Sequence, residues 1–143
     1  MNLRSCKKLI IFGGTFDPPH VGHIQLPLKV MQVSGAEAMV YVPAAESPMK
    51  SHQAAATPAD RLAMLQLALA QVSYAIIRTD ELDRYRSEQP SYTVDTLEVF
   101  RREVGEHTTF HLLIGGDQLR LFHRWHAYQR ILELAEPLVM IRP

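Results

Sequence analysis

The amino-acid sequence predicts a doubly wound α/β fold, in which helices cover both faces of a parallel sheet of about five strands. Short apolar segments alternate with longer segments of helical periodicity along the 143 residues. The strand-like segments are continuously apolar, as expected for strands buried on both faces of a parallel sheet. Two of them end in glycine pairs, Gly13-Gly14 and Gly115-Gly116. The length suits one domain, residues 1–143, with a sizeable hydrophobic core.

The position of each element follows from this alternation. Apolar runs predict strands at residues 8–12, 38–42, 74–77, 110–114 and 138–141. Apolar side chains at helical spacing predict helices at 21–33, 57–72 and 93–103, and short helical segments at 118–134. The intervening residues 44–56 and 78–91 are predicted to be loops.

The first two helices carry local signals for where they begin, bend and end. Thr57 can cap the second helix, and Pro58 suits its first turn. Pro27 lies inside the first helix and is expected to kink it, because proline has no N–H to donate. Gly35 is expected to end that helix.

Composition excludes several classes of protein. Fifteen basic and fifteen acidic residues cancel, so we expect no general surface for nucleic acid or for an anionic membrane. A single cysteine, Cys6, excludes an internal disulfide and fits a reducing compartment. The apolar run after the basic N-terminal residues is too short for a signal peptide or a membrane span. The predicted location is the cytoplasm.

The two glycine pairs are expected to meet at one place in the sheet. In a doubly wound sheet the first strand is central, and the chain reverses direction to place the fourth strand beside it. Ligands bind in the crevice outside the carboxyl ends of the strands at that switch point. Gly13-Gly14 and Gly115-Gly116-Asp117 would face each other across it, which predicts a nucleotide site. The glycine pattern is neither a Walker A loop nor G-x-G-x-x-G.

His20 and His23 lie three residues apart where the first helix begins. This spacing places both imidazoles on one face of the helix, near the positive end of its dipole. They could donate to phosphate oxygens during phosphoryl or nucleotidyl transfer, or they could be a helix cap and an incidental surface histidine. A metal site is the weaker interpretation, because the spacing places no third ligand.

Several other positions keep two interpretations. Asp117 could bind a ribose hydroxyl or cap a helix. Tyr92 directly precedes a predicted helix, and Thr93 begins it. This segment could cap the helix or form a pocket for an anion or carboxylate. Trp125 could belong to the core or to a stacking platform. Lys50 lies in a loop, where a lysine is usually solvated.

Four sequence blocks together resemble a known family. The segment GGTFDP at 13–18, followed by HVGH at 20–23, resembles the H-x-G-H superfamily of nucleotidyltransferases. Within that superfamily, PSYTVDTL at 90–97, IGGDQL at 114–119 and FHRWH at 122–126 are similar to blocks of the bacterial nicotinate-nucleotide adenylyltransferases. The similarity runs from about Leu9 to the end of the chain.

The resemblance implies a Rossmann-like nucleotidyltransferase fold and an activity. ATP and nicotinate mononucleotide would give deamido-NAD and pyrophosphate, with Mg²⁺ accompanying ATP and no covalent enzyme intermediate. The implied catalytic residues are His20 and His23. The implied ATP-binding residues are Gly13, Gly14, Thr15, Phe16, Lys50, Gly115 and Asp117. The implied nicotinate pocket consists of Tyr92, Thr93, Trp125 and His126.

The sequence also departs from the family pattern. It has no I-S-x-T-x-x-R block near its C-terminus, and Met49 replaces a histidine that often precedes the basic residue, here Lys50. These departures remove a cation and several donors, so we expect reduced or absent turnover from this form. The sheet edge beyond the fifth strand would then be exposed, which favours self-association. Two alternatives are transfer to another phosphate acceptor, such as phosphopantetheine or glycerol phosphate, and a non-catalytic nucleotide-binding module.

Overall fold

A five-stranded parallel sheet forms the centre of the protein. The computed structural model describes residues 2–19, 22–45, 56–86 and 91–141. Its strands are Lys8–Gly14 (β1), Ala38–Pro43 (β2), Ala75–Ile77 (β3), Thr109–Gly115 (β4) and Glu136–Met140 (β5). They are hydrogen-bonded in the order β3-β2-β1-β4-β5, and every neighbouring pair is parallel. The doubly wound fold predicted from the sequence is confirmed.

Six helices and two short 3₁₀ turns accompany the described strands. The helices are Gly22–Ser34 (α1), Pro58–Leu69 (α2), Asp80–Arg86 (α3), Thr93–Val104 (α4), Gly116–Leu121 (α5) and Tyr128–Leu134 (α6). The 3₁₀ turns are Leu3–Ser5 and Phe122–Arg124. Within the described ranges, none of these helices is long and apolar enough to cross a membrane.

Helices pack on both faces of the sheet because alternate strand residues point in opposite directions. In β1, Leu9 and Ile11 belong to a core cluster that includes side chains of α4 and α6. Ile10 and Phe12 belong to a second cluster, formed with side chains of α1 and α2. All four strand residues are buried, which explains why β1 is continuously apolar.

The predicted end of α1 and the predicted start of α2 are confirmed by hydrogen bonds, whereas α2 ends at Leu69, three residues before the predicted end at residue 72. The Thr57 side chain accepts a hydrogen bond from the Asp60 N–H at 3.1 Å, next to Pro58 in the first turn. Gly35 adopts a positive φ of 75°, and its N–H donates to the Met31 carbonyl at 3.1 Å. A glycine suits this position because the left-handed conformation costs it little.

The prediction of a loop over residues 78–91 is wrong for part of that segment. Asp80–Arg86 forms helix α3, although only Leu82 of this helix is buried. Asp80 and Glu81 lie in its first turn and Arg84 in its last, so the charges complement the helix dipole. This helix has no apolar stripe by which it could be predicted from the sequence, because charged side chains stabilise it.

Other boundaries differ by small amounts. The last strand runs over Glu136–Met140, two residues earlier at its start than the predicted 138–141, and β3 begins at Ala75 instead of Tyr74. Most of the predicted loop at 44–56 lies outside the described residues, as do residues 20–21.

Candidate functional site

The carboxyl ends of β1 and β4 form the expected switch point. β1 lies between β2 and β4, so the chain leaves β1 toward one edge of the sheet and later returns to the other side of it. Gly14 ends β1 and Gly115 ends β4, and the two strands are hydrogen-bonded neighbours. The two glycine pairs that were predicted to meet therefore lie at the same end of adjacent strands.

The glycines at this end of the sheet differ in what surrounds them. A methyl group added at Gly14 would lie 3.4 Å from the Phe16 ring, and one at Gly13 would lie 3.7 Å from the Val42 carbonyl, which are ordinary contacts. At Gly116 no atom of the described residues would lie within 4 Å, so open space lies beside the main chain at the start of α5.

The loop after β1 is held by a buried aromatic ring. Phe16 is 2% exposed and adopts a φ of 49°, which is unusual for a residue with a side chain. Its ring packs edge-on against Phe12 at 5.5 Å and against His23 at 5.0 Å between centroids. Burial of this ring offsets the cost of the strained backbone, about 1–3 kcal/mol. The Thr15 carbonyl in the same loop accepts a hydrogen bond from Arg61 at 2.8 Å.

His23 lies at the beginning of α1, and a tyrosine on the sheet fixes its main chain. Pro27 has no N–H, so it cannot supply the intrahelical hydrogen bond to the carbonyl four residues earlier, that of His23. The hydroxyl of Tyr41 donates to this carbonyl at 2.8 Å instead. Burial raises the pKa of Tyr41 above its ordinary range, and the neighbouring Tyr74 reinforces this. The other predicted histidine, His20, lies outside the described residues, as does Lys50.

The loop after β4 leads directly into α5. Gly115 precedes this helix, and its N–H donates to the Gln118 side-chain oxygen at 2.8 Å. Asp117 is exposed in the first turn and is not the cap residue. The interpretation of Asp117 as a helix cap is therefore wrong, and its carboxylate stays open to solvent near the switch point.

A second group of predicted residues meets at the N-terminus of α4. The rings of Tyr92 and His126 stack at 4.1 Å between centroids with an angle of 21°. Trp125 is half-buried, packs beside Phe122 at 5.1 Å and lies against the core. Tyr92 is the residue before the first turn of α4, and its side chain makes no capping hydrogen bond to this helix. The structure thus brings together the residues that sequence analysis assigned to one pocket, although they lie about thirty positions apart.

Unpaired polar atoms are concentrated around the same helix end. Ser91 Oγ and Trp125 Nε1 are buried without a hydrogen-bond partner among the described residues, and so is Nε of Arg84. Arg84 donates through Nη2 to the Thr96 hydroxyl in the first turns of α4. A buried polar atom without a partner costs about 1–3 kcal/mol. The described residues therefore leave three buried donors without acceptors near this helix end.

A carboxylic acid lies beside these donors. The Thr96 hydroxyl is 3.4 Å from Glu81 Oε1. Burial raises the pKa of Glu81 to about 7, although Arg84 and the Thr96 hydrogen bond oppose the shift. Glu81 therefore gains or loses its proton near neutral pH, unlike an ordinary surface glutamate.

Three residues that shape the two candidate sites were not identified from the sequence: Tyr41 and Arg61 near the loop after β1, and Glu81 beside α4. The signal for Arg61 was present, because it lies on the same helical stripe as Leu65 and Leu69, both of which are buried. A charged residue on an apolar stripe needs partners. For Tyr41 the signal was weaker, since a buried tyrosine shows that a hydroxyl must be satisfied but not by which group.

No group of three or more His, Cys, Asp or Glu side chains suited to a metal ion occurs within the described part of the chain.

The parallel sheet and its switch point between β1 and β4 define an α/β domain of the Rossmann-like class. Comparison with known proteins narrows this class. The chain belongs to the cytidylyltransferase-like family, whose model matches residues 11–143.

Curated relatives match this chain over most of its length. A probable nicotinate-nucleotide adenylyltransferase of Cellvibrio japonicus is 39% identical over 133 residues, which cover 93% of this chain and 61% of the relative. Proteins of the same description from Laribacter hongkongensis and Bacillus mycoides are 41% and 36% identical, covering 93% and 96% of this chain and 59% and 70% of the relatives. The chain thus spans about three fifths of the length of the Cellvibrio and Laribacter proteins.

Solved structures share the fold at lower identity. A putative nicotinate-nucleotide adenylyltransferase from Vibrio parahaemolyticus superposes with a TM-score of 0.70 at 20% identity, over 94% of this chain and 74% of that chain. Nicotinic acid mononucleotide adenylyltransferase of Plasmodium falciparum, solved with NaAD, gives 0.69 at 17% identity, over 96% and 76%. The chain therefore shares its fold with these two solved structures.

Proposed function

We propose that this domain transfers an adenylyl group from ATP to nicotinate mononucleotide, giving deamido-NAD and pyrophosphate. A phosphate oxygen of the mononucleotide attacks the α-phosphorus of ATP. The bond from that phosphorus to the bridging oxygen of pyrophosphate breaks, so no covalent bond to the protein forms. This reaction requires two sites whose reacting phosphates meet, one for ATP and one for a pyridine nucleotide.

The observation that carries this proposal is the contact of Tyr92 with His126 at the N-terminus of α4. It joins two sequence blocks that resemble the acceptor-binding blocks of the adenylyltransferases, at a helix end whose N–H groups favour an anion. Ser91 Oγ and Trp125 Nε1 lack partners among the described residues, so a carboxylate can accept from them without breaking an existing hydrogen bond. Such a pocket suits a nicotinate ring with its carboxylate.

The ATP site is proposed at the switch point. Gly13, Gly14, Thr15 and Phe16 form the loop that would follow the phosphates, with His20 and His23 donating to phosphate oxygens and Lys50 adding positive charge. Gly115 and Asp117, at the start of α5, would lie beside the adenosine ribose. Support comes from the open space at Gly116 and from the exposed Asp117 carboxylate beside it.

Mg²⁺ is the divalent ion proposed to enter with ATP. When bound to the phosphates, it supplies positive charge that neutralises the departing pyrophosphate. The chain's own contribution is orientation: His23 is fixed through its carbonyl by Tyr41, and Phe16 packs against the imidazole. Such positioning is a large part of catalysis in phosphoryl transfer.

The test is pyrophosphate release from ATP with nicotinate mononucleotide, phosphopantetheine or glycerol phosphate as acceptor. The proposal predicts release with nicotinate mononucleotide only, at the reduced rate expected from a sequence without the I-S-x-T-x-x-R block. Release with another acceptor instead would contradict it. Calorimetric binding of ATP without release with any acceptor would favour the non-catalytic module.

A substitution at the acceptor site sharpens this test. Thr93→Val removes a hydroxyl from the first residue of α4, so the KM for nicotinate mononucleotide should rise about tenfold while the KM for ATP stays within about twofold. Thr109→Val is the matched control, because Thr109 is exposed at the opposite end of β4. Equal changes in both KM values would show that Thr93 does not belong to the acceptor pocket.

A further inference from the structure

A buried arginine outside the predicted site holds the loop that follows β1. Arg61 lies in the first turns of α2, and its side chain is 1% exposed. Arginine is rarely buried unless its donors are satisfied. Its hydrogen bonds therefore show what it holds in place.

Four main-chain carbonyls accept hydrogen bonds from this guanidinium. Nη1 donates to Thr15 at 2.8 Å and to Ala44 at 2.5 Å, Nη2 donates to Ala45 at 2.8 Å, and Nε donates to Ala56 at 3.3 Å. These acceptors belong to the loop after β1, the segment after β2 and the residue before the cap of α2. One side chain thus connects three segments at the carboxyl end of the sheet.

The planar fork of arginine is what allows this arrangement. Its donors point in fixed and separate directions, whereas a lysine ammonium is a compact point charge. Burial lowers the pKa of Arg61, and the carboxylate of Asp17 in the same loop opposes that shift. Asp17 also accepts a hydrogen bond from the Ala56 N–H at 3.3 Å. A carboxylate and a cation together hold the loop against α2.

The hydrogen bond to Thr15 fixes the direction of the next amide group. In a planar trans peptide the carbonyl and the following N–H point in opposite directions. Because the Thr15 carbonyl points to Arg61, the Phe16 N–H points away from Arg61. Among the described residues, no main-chain carbonyl accepts a hydrogen bond from this N–H. The φ of 49° at Phe16 means that the loop would not hold this conformation without support.

We propose that Arg61 is a positioning residue of the nucleotide site, which holds the Thr15 carbonyl so that the Phe16 N–H is presented to a phosphate oxygen of ATP. This inference rests on the proposed function, because it requires ATP at the switch point. Arg61 acts through the main chain and does not touch the nucleotide itself.

The experiment compares the intact chain with Arg61→Lys and Arg61→Met in calorimetric titrations with ATP and Mg²⁺. Arg61→Lys keeps the charge but cannot reach all four carbonyls, so the dissociation constant for ATP should rise about tenfold or more. Binding of nicotinate mononucleotide, followed by Trp125 fluorescence, should change by less than about twofold, because Trp125 packs on the other face of the sheet from α2. In ¹⁵N spectra, ATP should shift the Phe16 amide of the unsubstituted chain far more than that of Arg61→Lys.

Arg101→Met is the matched control. Arg101 also donates to main-chain carbonyls, those of Gly105 and Thr108, but these lie at the opposite end of β4. Arg101→Met should lower the free energy of unfolding without changing ATP affinity. Equal ATP affinity in the unsubstituted chain and in Arg61→Lys overturns the inference and leaves the proposed function intact. Absence of ATP binding by the unsubstituted chain overturns the proposed function, and the inference with it.

Discussion

At the scale of single residues, Glu81 is an acid whose proton is held up to neutral pH by the fold. Burial raises its pKa to about 7, and the Arg84 charge and the Thr96 hydroxyl reduce the shift without cancelling it. The folded state therefore binds the proton more tightly than the unfolded state does. The resulting stabilisation is fully present below the ordinary glutamate pKa and is lost as pH rises through about 7.

Glu81→Gln tests this linkage. Glutamine resembles the protonated acid, so the variant should match the unsubstituted chain in unfolding free energy near pH 5. Above pH 8 it should be more stable, by roughly 1–3 kcal/mol, because no buried charge forms. Urea denaturation at the two pH values measures the difference. Glu106→Gln, at an exposed position, should show no such pH dependence, and a gain for Glu81→Gln at pH 5 equal to that at pH 8 would contradict the assignment.

At the scale of elements, helix α1 and strand β2 are joined at a point where proline interrupts the helix. The His23 carbonyl receives the Tyr41 hydroxyl in place of the missing Pro27 N–H. The Tyr74 hydroxyl likewise donates to the Ile24 carbonyl at 3.0 Å. The residue four positions after Ile24 is Leu28, whose N–H can serve as the helical donor to that carbonyl. The two hydroxyls should therefore contribute differently to the free energy of unfolding.

Tyr41→Phe should lower the free energy of unfolding by about 1–3 kcal/mol, because it removes the hydroxyl that donates to the His23 carbonyl at 2.8 Å. Tyr74→Phe, the matched control, should cost less. In a Pro27→Ala background the cost of Tyr41→Phe should fall, because the alanine restores an N–H that can donate to the His23 carbonyl in place of the hydroxyl. A double-mutant cycle in urea measures the coupling, and additive effects of Pro27→Ala and Tyr41→Phe would refute this account.

The sequence predicts elements well where burial determines them and poorly where charge does. The helices α1, α2 and α4 were predicted because their apolar residues recur at helical spacing. The start of α2 was also marked by a cap residue and a proline. Helix α3 was missed because its only buried residue is Leu82 and its ends are stabilised by charges. Because α3 was not predicted, Glu81 and Arg84 were not recognised as neighbours of Thr96 in α4.

At the scale of the whole molecule, the doubly wound sheet and the pairing of β1 with β4 could be predicted from the sequence. Alternating elements and continuously apolar strands imply a doubly wound sheet, and the glycine pairs after β1 and β4 mark its switch point. The role of Arg61 could not be predicted in this way. Every residue has a carbonyl, and the sequence does not show which four turn toward one guanidinium.

Self-association through β5 stays a prediction at this scale. Among the described strands, β5 pairs only with β4, so its other side can accept a further strand. The fold thus separates two regions: the crevice at the carboxyl ends of β1 and β4, where ATP is proposed to bind, and the aromatic residues at the start of α4, where the acceptor is proposed to bind.

The central claim is that the aromatic pocket of Tyr92, Trp125 and His126 binds a pyridine nucleotide through the carboxylate on the nucleotide's pyridine ring. Trp125 is the one tryptophan in the chain, so its fluorescence reports on the pocket without requiring turnover. Titration with nicotinate mononucleotide should change this fluorescence to saturation, with a dissociation constant about tenfold below that for nicotinamide mononucleotide, which has an amide in place of the carboxylate. Unchanged fluorescence, or equal dissociation constants for the two nucleotides, would contradict the account.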